Sequence, residues 1–317
     1  MSTSRMSLAE SGPFTPPPDA PQWFVDNLRQ PGESRYIEVS DSATAAKSRV
    51  HFLSWNWHDS SRPTLLFLHG FSGHAHWWSY LIPFFTDRYR VAALDLPGMG
   101  DSSHLTSYDD ACFAHAVISL LRQHNIEQTT VIGHSFGGAQ AARAMALAPE
   151  LFNHGIIVDT MIRFDTDTPP WPINSRNNHR IRATQAECIA DFRLIPSQPT
   201  AIQLLKDFVA YHSCTPTRGG WQWKFDPAIH SGDTLYGEVL GKAIPARVRT
   251  PVDCIYGERS MFTSNDLPRQ VLESFPNHGE LILVPDAYHH LMLDRPLELV
   301  AALNHLLAVR TAPSQNK

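Results

Sequence analysis

The sequence predicts an α/β fold in which a mostly parallel sheet of eight strands is covered by helices on both faces. Short apolar segments alternate with helical patterns along most of the 317 residues, as in chains built from β-α-β units. One interval, 161–245, interrupts this alternation. It is too long for a loop and predicts a helical cap inserted after the sixth strand.

The predicted strands are short and rich in aliphatic residues. Residues 64–69 (TLLFLH) are nearly continuous in apolar character, which is typical of a strand buried on both faces. The eight predicted strands are 35–39, 50–55, 64–69, 91–94, 130–132, 155–158, 252–256 and 281–284. The helical patterns between them are at 75–87, 108–124, 136–148, 266–275 and 296–309.

Three regions follow from this pattern. Residues 1–20 contain the run Pro16–Pro18, which favours extended geometry, and are predicted to be a flexible lead-in. Residues 21–160 and 246–317 form the α/β core. The cap, 161–245, has helical patterns near 183–193 and 199–212, and we expect it over the carboxyl edge of the sheet, where such folds bind ligands.

Composition excludes several classes of protein. The net charge is −5 without clusters of Lys and Arg, which indicates no nucleic-acid partner. The four cysteines are widely spaced, no secretory leader pattern opens the chain, and no apolar stretch reaches the ~18 residues of a membrane span. We therefore expect a cytoplasmic enzyme without a membrane partner, and no ligand-spaced cluster predicts a metal or other cofactor.

The motif G-x-S-x-G occupies residues 133–137, between the predicted strand 130–132 and an alanine-rich helix. A strand, sharp turn and helix are the context in which this motif presents a nucleophilic serine. Glycines are needed because the turn is tight, and Ser135 would stand at the positive end of the helix. Ser135 is the predicted nucleophile.

A serine nucleophile needs a base and an oxyanion site. The last strand is followed by two histidines, His289 and His290, of which His289 is favoured as the base because it comes first after the turn. The backbone N–H of Phe136 is one predicted oxyanion donor. Phe71, in the loop after TLLFLH, is the predicted second donor, whereas His69 is expected to be structural.

The segments HGFSGHAHWW, LDLPGMGDS, GHSFGG and AYHHLMLDRP resemble the α/β-hydrolase superfamily in order and spacing, over about residues 34–310. The resemblance is greatest to the capped group, which includes carboxylesterases, carbon–carbon bond hydrolases, epoxide hydrolases and haloalkane dehalogenases. The last two use an aspartate nucleophile, so Ser135 argues against them. Asp95 and Asp101 match a structural turn of the superfamily.

The acid of the triad departs from the pattern of the superfamily. Ser260 stands where most members carry an aspartate. Asp159, at the end of the sixth strand, is the favoured replacement because some relatives carry their acid there. Glu258 is the main alternative, and Asp266 is a third candidate with capping of a helix as its simpler explanation.

The predicted activity is hydrolysis of a carboxylic ester through an acyl-enzyme on a Ser-His-Asp triad. Trp77, Trp78 and His134 are predicted to contact a small-molecule substrate with an apolar or aromatic group. Aromatic and basic residues of the cap accompany them: Trp171, Phe192, Arg193, Trp221, Trp223 and Phe225.

Two alternatives remain open. The first is hydrolysis of a carbon–carbon bond in a diketone-like substrate, with Arg163, Arg176 or Arg193 holding a carboxylate. The second is a non-catalytic ligand receptor on the same fold.

Overall fold

The computed structural model describes residues 13–40, 47–109, 111–162, 180–199, 202–230 and 243–311. These residues form an eight-stranded sheet in the order β1-β2-β4-β3-β5-β6-β9-β10. β2 pairs antiparallel with β1 and with β4, and the other neighbours pair in parallel. The predicted fold class, a mostly parallel sheet of eight strands, is confirmed.

The strands and helices follow the predicted alternation. The strands are β1 Glu33–Ser40, β2 Lys47–Trp55, β3 Thr64–Leu68, β4 Arg90–Leu94, β5 Thr129–His134, β6 Phe152–Val158, β7 Cys214–Thr217, β8 Gly220–Trp223, β9 Val252–Gly257 and β10 His278–Val284. The α-helices are α1 Gln22–Leu28, α2 His76–Ser79, α3 Cys112–Gln123, α4 Phe136–Leu147, α5 Gln185–Ala190, α6 Gln203–His212, α7 Leu267–Glu273, α8 Leu291–Asp294 and α9 Pro296–Thr311.

Two apolar layers cover the sheet. One face packs against α3, α4 and α7, and the other packs against α1, α2 and α9. The five residues of β3 are all buried, as their apolar run predicts. Because helices cover both faces of the sheet, we look for a ligand-binding site at the carboxyl edge of the parallel strands.

The structure differs from the predicted helix at 75–87. The segment contains the short helix α2 and then a 3-10 helix, Ile82–Phe85, with Pro83 in its first turn. Proline has no backbone N–H and cannot continue a helix from the preceding turn. The break therefore follows from Pro83.

The described part of the inserted segment is not wholly helical. α5 and α6 lie near the two predicted helices, and β7 and β8 form an antiparallel hairpin. The hairpin strands are mostly half-buried, so they lack the buried apolar run by which the other strands are predicted.

Part of the predicted flexible lead-in packs against the rest of the chain. The ring of Phe14 lies edge-on to Phe208 and Tyr211 of α6, at centroid distances of 5.2 and 5.5 Å, and also contacts Phe24 of α1. Aromatic edge contacts of this kind stabilise beyond the area they bury. Among the described residues, no helix has the length and apolar character to span a membrane.

Candidate active site

Ser135 lies at the sharp turn between β5 and α4, with φ 52° and ψ −120°. Two glycines allow the turn to pack this tightly. A Cβ on Gly133 would lie 2.4 Å from the Gly137 carbonyl oxygen, and one on Gly137 would lie 2.5 Å from the His69 carbonyl oxygen. The turn therefore requires glycine at both positions, and holds Ser135 at the carboxyl edge of the sheet.

Asp159 follows β6 directly and is fully buried. His289 Nδ1 donates a hydrogen bond to Asp159 Oδ1 at 2.9 Å, and His289 is only 4% exposed. With its proton on Nδ1, the neutral imidazole has its lone pair on Nε2, the nitrogen that can accept a proton. Asp159 thus fixes the orientation and tautomer of His289.

Two further donors hold the Asp159 carboxylate. The Ser260 hydroxyl donates to Oδ1 at 2.6 Å, and the Gly257 amide donates to Oδ2 at 2.8 Å. Ser260, which stands at the sequence position of the usual superfamily acid, therefore hydrogen-bonds the carboxylate that His289 contacts. The sequence motif alone does not predict this donor role for Ser260.

The other two candidate acids lie elsewhere. Glu258 accepts a hydrogen bond from the Asp286 amide at 3.0 Å on an exposed turn. Asp266 is exposed and forms an ion pair with Arg269. Of the three candidates, Asp159 is the one whose carboxylate hydrogen-bonds His289.

A cavity of about 630 Å³ lies over this edge of the sheet. Ser135 and His289 both line it. The predicted oxyanion residues Phe71 and Phe136 line it as well, with their rings in edge contact at 5.2 Å. Phe136 is the first residue of α4, where backbone N–H groups have no acceptor within the helix.

Trp77 and His134 line the cavity, as predicted for substrate contacts. Trp78 does not. It is fully buried, its ring packs against Phe67, and its indole N–H donates to the Leu68 carbonyl at 3.2 Å. The structure therefore places Trp77 at the site and Trp78 in the core.

His134 and His290 flank His289. The His134 Nε2–H donates to the His289 carbonyl at 2.9 Å, and the two rings are 4.7 Å apart. Burial, reinforced by the proximity of His289, holds the pKa of His134 and of His290 well below its usual range. Both neighbours are therefore neutral.

His69, Asp95 and Asp101 hold loops of the core. Leu96 N–H donates to His69 Nε2, and the His69 Nδ1–H donates to the Gly70 carbonyl. The Asp95 carboxylate accepts hydrogen bonds from Ala75, His51 and Asp101. Although burial alone would raise it, these contacts, chiefly that of His51, lower the pKa of Asp95 to about 2.

The described residues of the inserted segment contribute aromatic and charged side chains to the lining of the cavity. The lining residues include Arg180, Arg182, Asp191, Phe192, Arg193, Trp223, Lys224 and Phe225. Arg182 pairs with Asp191 and stacks over the Trp223 ring, and Lys224 pairs with Asp101 of the core. Trp221 is half-buried, and Trp171, Arg163 and Arg176 lie outside the described residues.

A sequence model of the alpha/beta hydrolase family matches residues 65–303, and the chain belongs to that family. Esterase Rv0045c of Mycobacterium tuberculosis is 23% identical over 90% of this chain and 95% of its own length. The pimeloyl-[acyl-carrier protein] methyl ester esterase of Chromobacterium violaceum is 28% identical over 76% and 92%. Human epoxide hydrolase 4 is 23% identical over 84% and 76%. The chain is therefore a hydrolase.

Solved structures agree on the fold. E-2-(acetamidomethylene)succinate hydrolase has a TM-score of 0.69 at 19% identity, covering 86% of this chain and 100% of its own. The peroxisomal α/β-hydrolase Lpx1 of Saccharomyces cerevisiae also has a TM-score of 0.69, at 20% identity and 90% and 91% coverage. At these identities the likeness supports the architecture alone.

Proposed function

We propose that the protein hydrolyses a carboxylic ester through an acyl-enzyme on Ser135. The observation that carries the proposal is the buried hydrogen bond between His289 and Asp159, which lies beside a cavity that Ser135 also lines. A buried carboxylate that fixes the tautomer of a histidine next to a serine is the arrangement that activates a hydroxyl for acyl transfer.

The steps follow from these positions. Ser135 Oγ attacks the ester carbonyl carbon while His289 Nε2 takes the hydroxyl proton. The oxyanion accepts hydrogen bonds from the N–H groups of Phe71 and Phe136. The tetrahedral intermediate collapses, His289 gives its proton to the leaving alcohol, and water then hydrolyses the acyl-enzyme with His289 again as the base.

The side chains that line the cavity support a particular class of substrate. Aromatic side chains contributed by both the core and the cap suit a small molecule with an apolar or aromatic group. An ester is favoured over an epoxide because Ser135 occupies the nucleophile turn, where epoxide hydrolases of this superfamily carry an aspartate.

Hydrolysis of a carbon–carbon bond is the second candidate function. Arg193 lines the cavity on its cap side, where it could bind a substrate carboxylate. A substrate panel separates the candidates: p-nitrophenyl esters of increasing acyl length test the first, and carboxylate-bearing diketones test the second.

The decisive experiment combines turnover with labelling by a fluorophosphonate. We expect wild type to hydrolyse p-nitrophenyl esters and to carry the label on Ser135. The Ser135→Ala variant should lose the label and about 10³–10⁶-fold in kcat. Ser274→Ala, at the end of α7 and away from the cavity, is the matched control and should retain both. Turnover that survives in Ser135→Ala would contradict the proposal, and a folded wild type inert to every ester and diketone would favour a receptor.

A further inference from the structure

The loop that carries His289 is held by hydrogen bonds at three consecutive residues. The Tyr288 N–H donates to Asp294 Oδ2 at 3.0 Å. The His289 carbonyl accepts from His134 Nε2 at 2.9 Å. The third bond, from the His290 N–H, is made to Gln198. The first two partners belong to the core, whereas Gln198 belongs to the inserted segment.

The side-chain amide of Gln198 contacts the loop at His290 and the following helix, α8, at Asp294. Its Oε1 accepts from the His290 backbone N–H at 2.9 Å and from His290 Nδ1 at 2.8 Å. Its Nε2 donates to Asp294 Oδ2 at 2.7 Å. Because a backbone N–H can only donate, the oxygen of the amide must face His290 and the nitrogen must face Asp294.

The partners of Gln198 are buried, whereas the Gln198 side chain itself is half-buried. His290 and Asp294 are 4% and 3% exposed. The Trp77 ring packs 5.3 Å from the His290 ring and shields it. Loss of the Gln198 amide therefore requires the buried groups of His290 and Asp294 that it binds to find new partners.

The segment that leads to Gln198 also forms part of the cavity wall. Leu194, Ile195 and Pro196 line the cavity, two to four residues before Gln198. A shift of this wall would move the Gln198 amide and, through His290, the peptide that bears His289. Displacement of a catalytic group by about 1 Å can cost roughly 100-fold in rate.

We propose that Gln198 is a positioning residue through which the inserted segment holds His289 in reach of Ser135. The inference rests on the proposed function for its kinetic consequence. It gives the inserted segment a role in the chemical step in addition to its role as the roof of the cavity.

The test is Gln198→Met, which keeps the length of the side chain and removes both hydrogen-bonding groups. Gln203→Met is the matched control, since Gln203 lies on the exposed face of α6 and bonds only Asp207 among the described contacts. We expect Gln198→Met to lower kcat for a p-nitrophenyl ester about 10- to 100-fold with KM within about 2-fold. Gln203→Met should keep both constants. A residue that only shaped the roof would raise KM instead, and that result would overturn the proposal.

Hydrogen exchange measured by mass spectrometry provides a readout that needs no substrate. In Gln198→Met, the peptide covering 288–293 should exchange faster, while peptides from β3 and β5 keep their wild-type rates. Unchanged exchange at 288–293 would overturn the proposal even if kcat fell. If wild type hydrolyses no ester, the exchange result still decides whether Gln198 orders the loop, so the two failures are distinguishable.

Discussion

Both ends of β6 carry a buried histidine–aspartate pair, and the two pairs differ in what surrounds them. At the carboxyl end, His289 donates to Asp159 at 2.9 Å. Near the amino end, His154 Nε2 donates to Asp253, in β9, at 2.7 Å. Both carboxylates are at most 2% exposed.

The surroundings explain why only one pair is a candidate for catalysis. Asp253 also accepts hydrogen bonds from the Glu280 amide of β10 and from Arg310 of α9. It therefore connects β9 to the neighbouring strand and to the last helix. Asp159 has neutral donors, and its histidine reaches a cavity that contains Ser135. The pairing alone therefore does not define a catalytic site. The turn at Ser135 and the cavity are what distinguish the candidate site.

The largest expected difference between the two pairs is in turnover. Asp159→Asn should lower kcat for a p-nitrophenyl ester about 10³- to 10⁴-fold, because an amide in place of the carboxylate favours the wrong tautomer of His289. Asp253→Asn should leave kcat within about 3-fold. Steady-state kinetics on the two purified variants checks this, and near-normal turnover by Asp159→Asn would remove Asp159 from the triad.

The two substitutions should have the reverse order of effects on the free energy of unfolding, with the larger loss in Asp253→Asn. Asp253→Asn removes the anion that Arg310 and His154 bind, and should lower the free energy of unfolding by roughly 3 kcal/mol. Asp159→Asn removes a buried charge whose described donors are neutral, and should leave stability unchanged or raised. Urea unfolding of both variants measures the difference. A larger loss of stability in Asp159→Asn than in Asp253→Asn would contradict this interpretation of the two pairs.

Substitutions at Ser260 test whether the carboxylate that His289 contacts can be moved from Asp159 to residue 260. Its hydroxyl lies 2.6 Å from the Asp159 oxygen that His289 contacts. Ser260→Ala removes one hydrogen bond to a carboxylate and should lower kcat by about 10-fold. In the Asp159→Asn background, Ser260→Asp brings a carboxylate to the neighbouring strand end and should recover at least about 10-fold of the lost kcat. Ser274→Asp in the same background is the control, and equal recovery there would exclude a local effect.

The candidate site at the carboxyl edge of the sheet could be predicted in part from the sequence, because its residues follow short, regular strands. Ser135 is identified by glycines that the turn requires, and Asp159 by its position directly after β6. Parallel strands bring such ends to one edge whatever the length of chain between them. The contact between Asp159 and His289, 130 residues apart, follows from that rule.

The remaining features of the candidate site depend on the directions of individual side chains. The hydrophobic pattern of the sequence does not specify those directions. Gln198 lies in an irregular segment and meets His290 across 92 residues. Trp77 and Trp78 are adjacent in a short helix, and only the packing of that helix decides which one faces the cavity. Ser260 acts as a donor only because the Asp159 carboxylate lies within hydrogen-bonding distance of it. Each of these features follows from tertiary packing that the local pattern leaves open.

The last expected effect concerns the stability of the protein in acid. His212 of α6 stacks on His76 of the core at a ring distance of 3.7 Å. Burial, and secondarily Lys224, lowers the pKa of His212 to about 3 from the usual value near 6.5. The unfolded chain therefore binds more protons than the folded one below pH 6.5. This contribution to stability is complete above that pH and is lost as the pH falls towards about 3.

Thermal unfolding at pH 7, 6 and 5 tests this titration. His212→Phe keeps an aromatic ring against His76 and should reduce the fall in melting temperature between pH 7 and 5, by the equivalent of about 2 kcal/mol. The exposed His305 is the matched control, and His305→Phe should keep the wild-type slope. A His212→Phe slope equal to that of wild type would contradict this assignment of the titration.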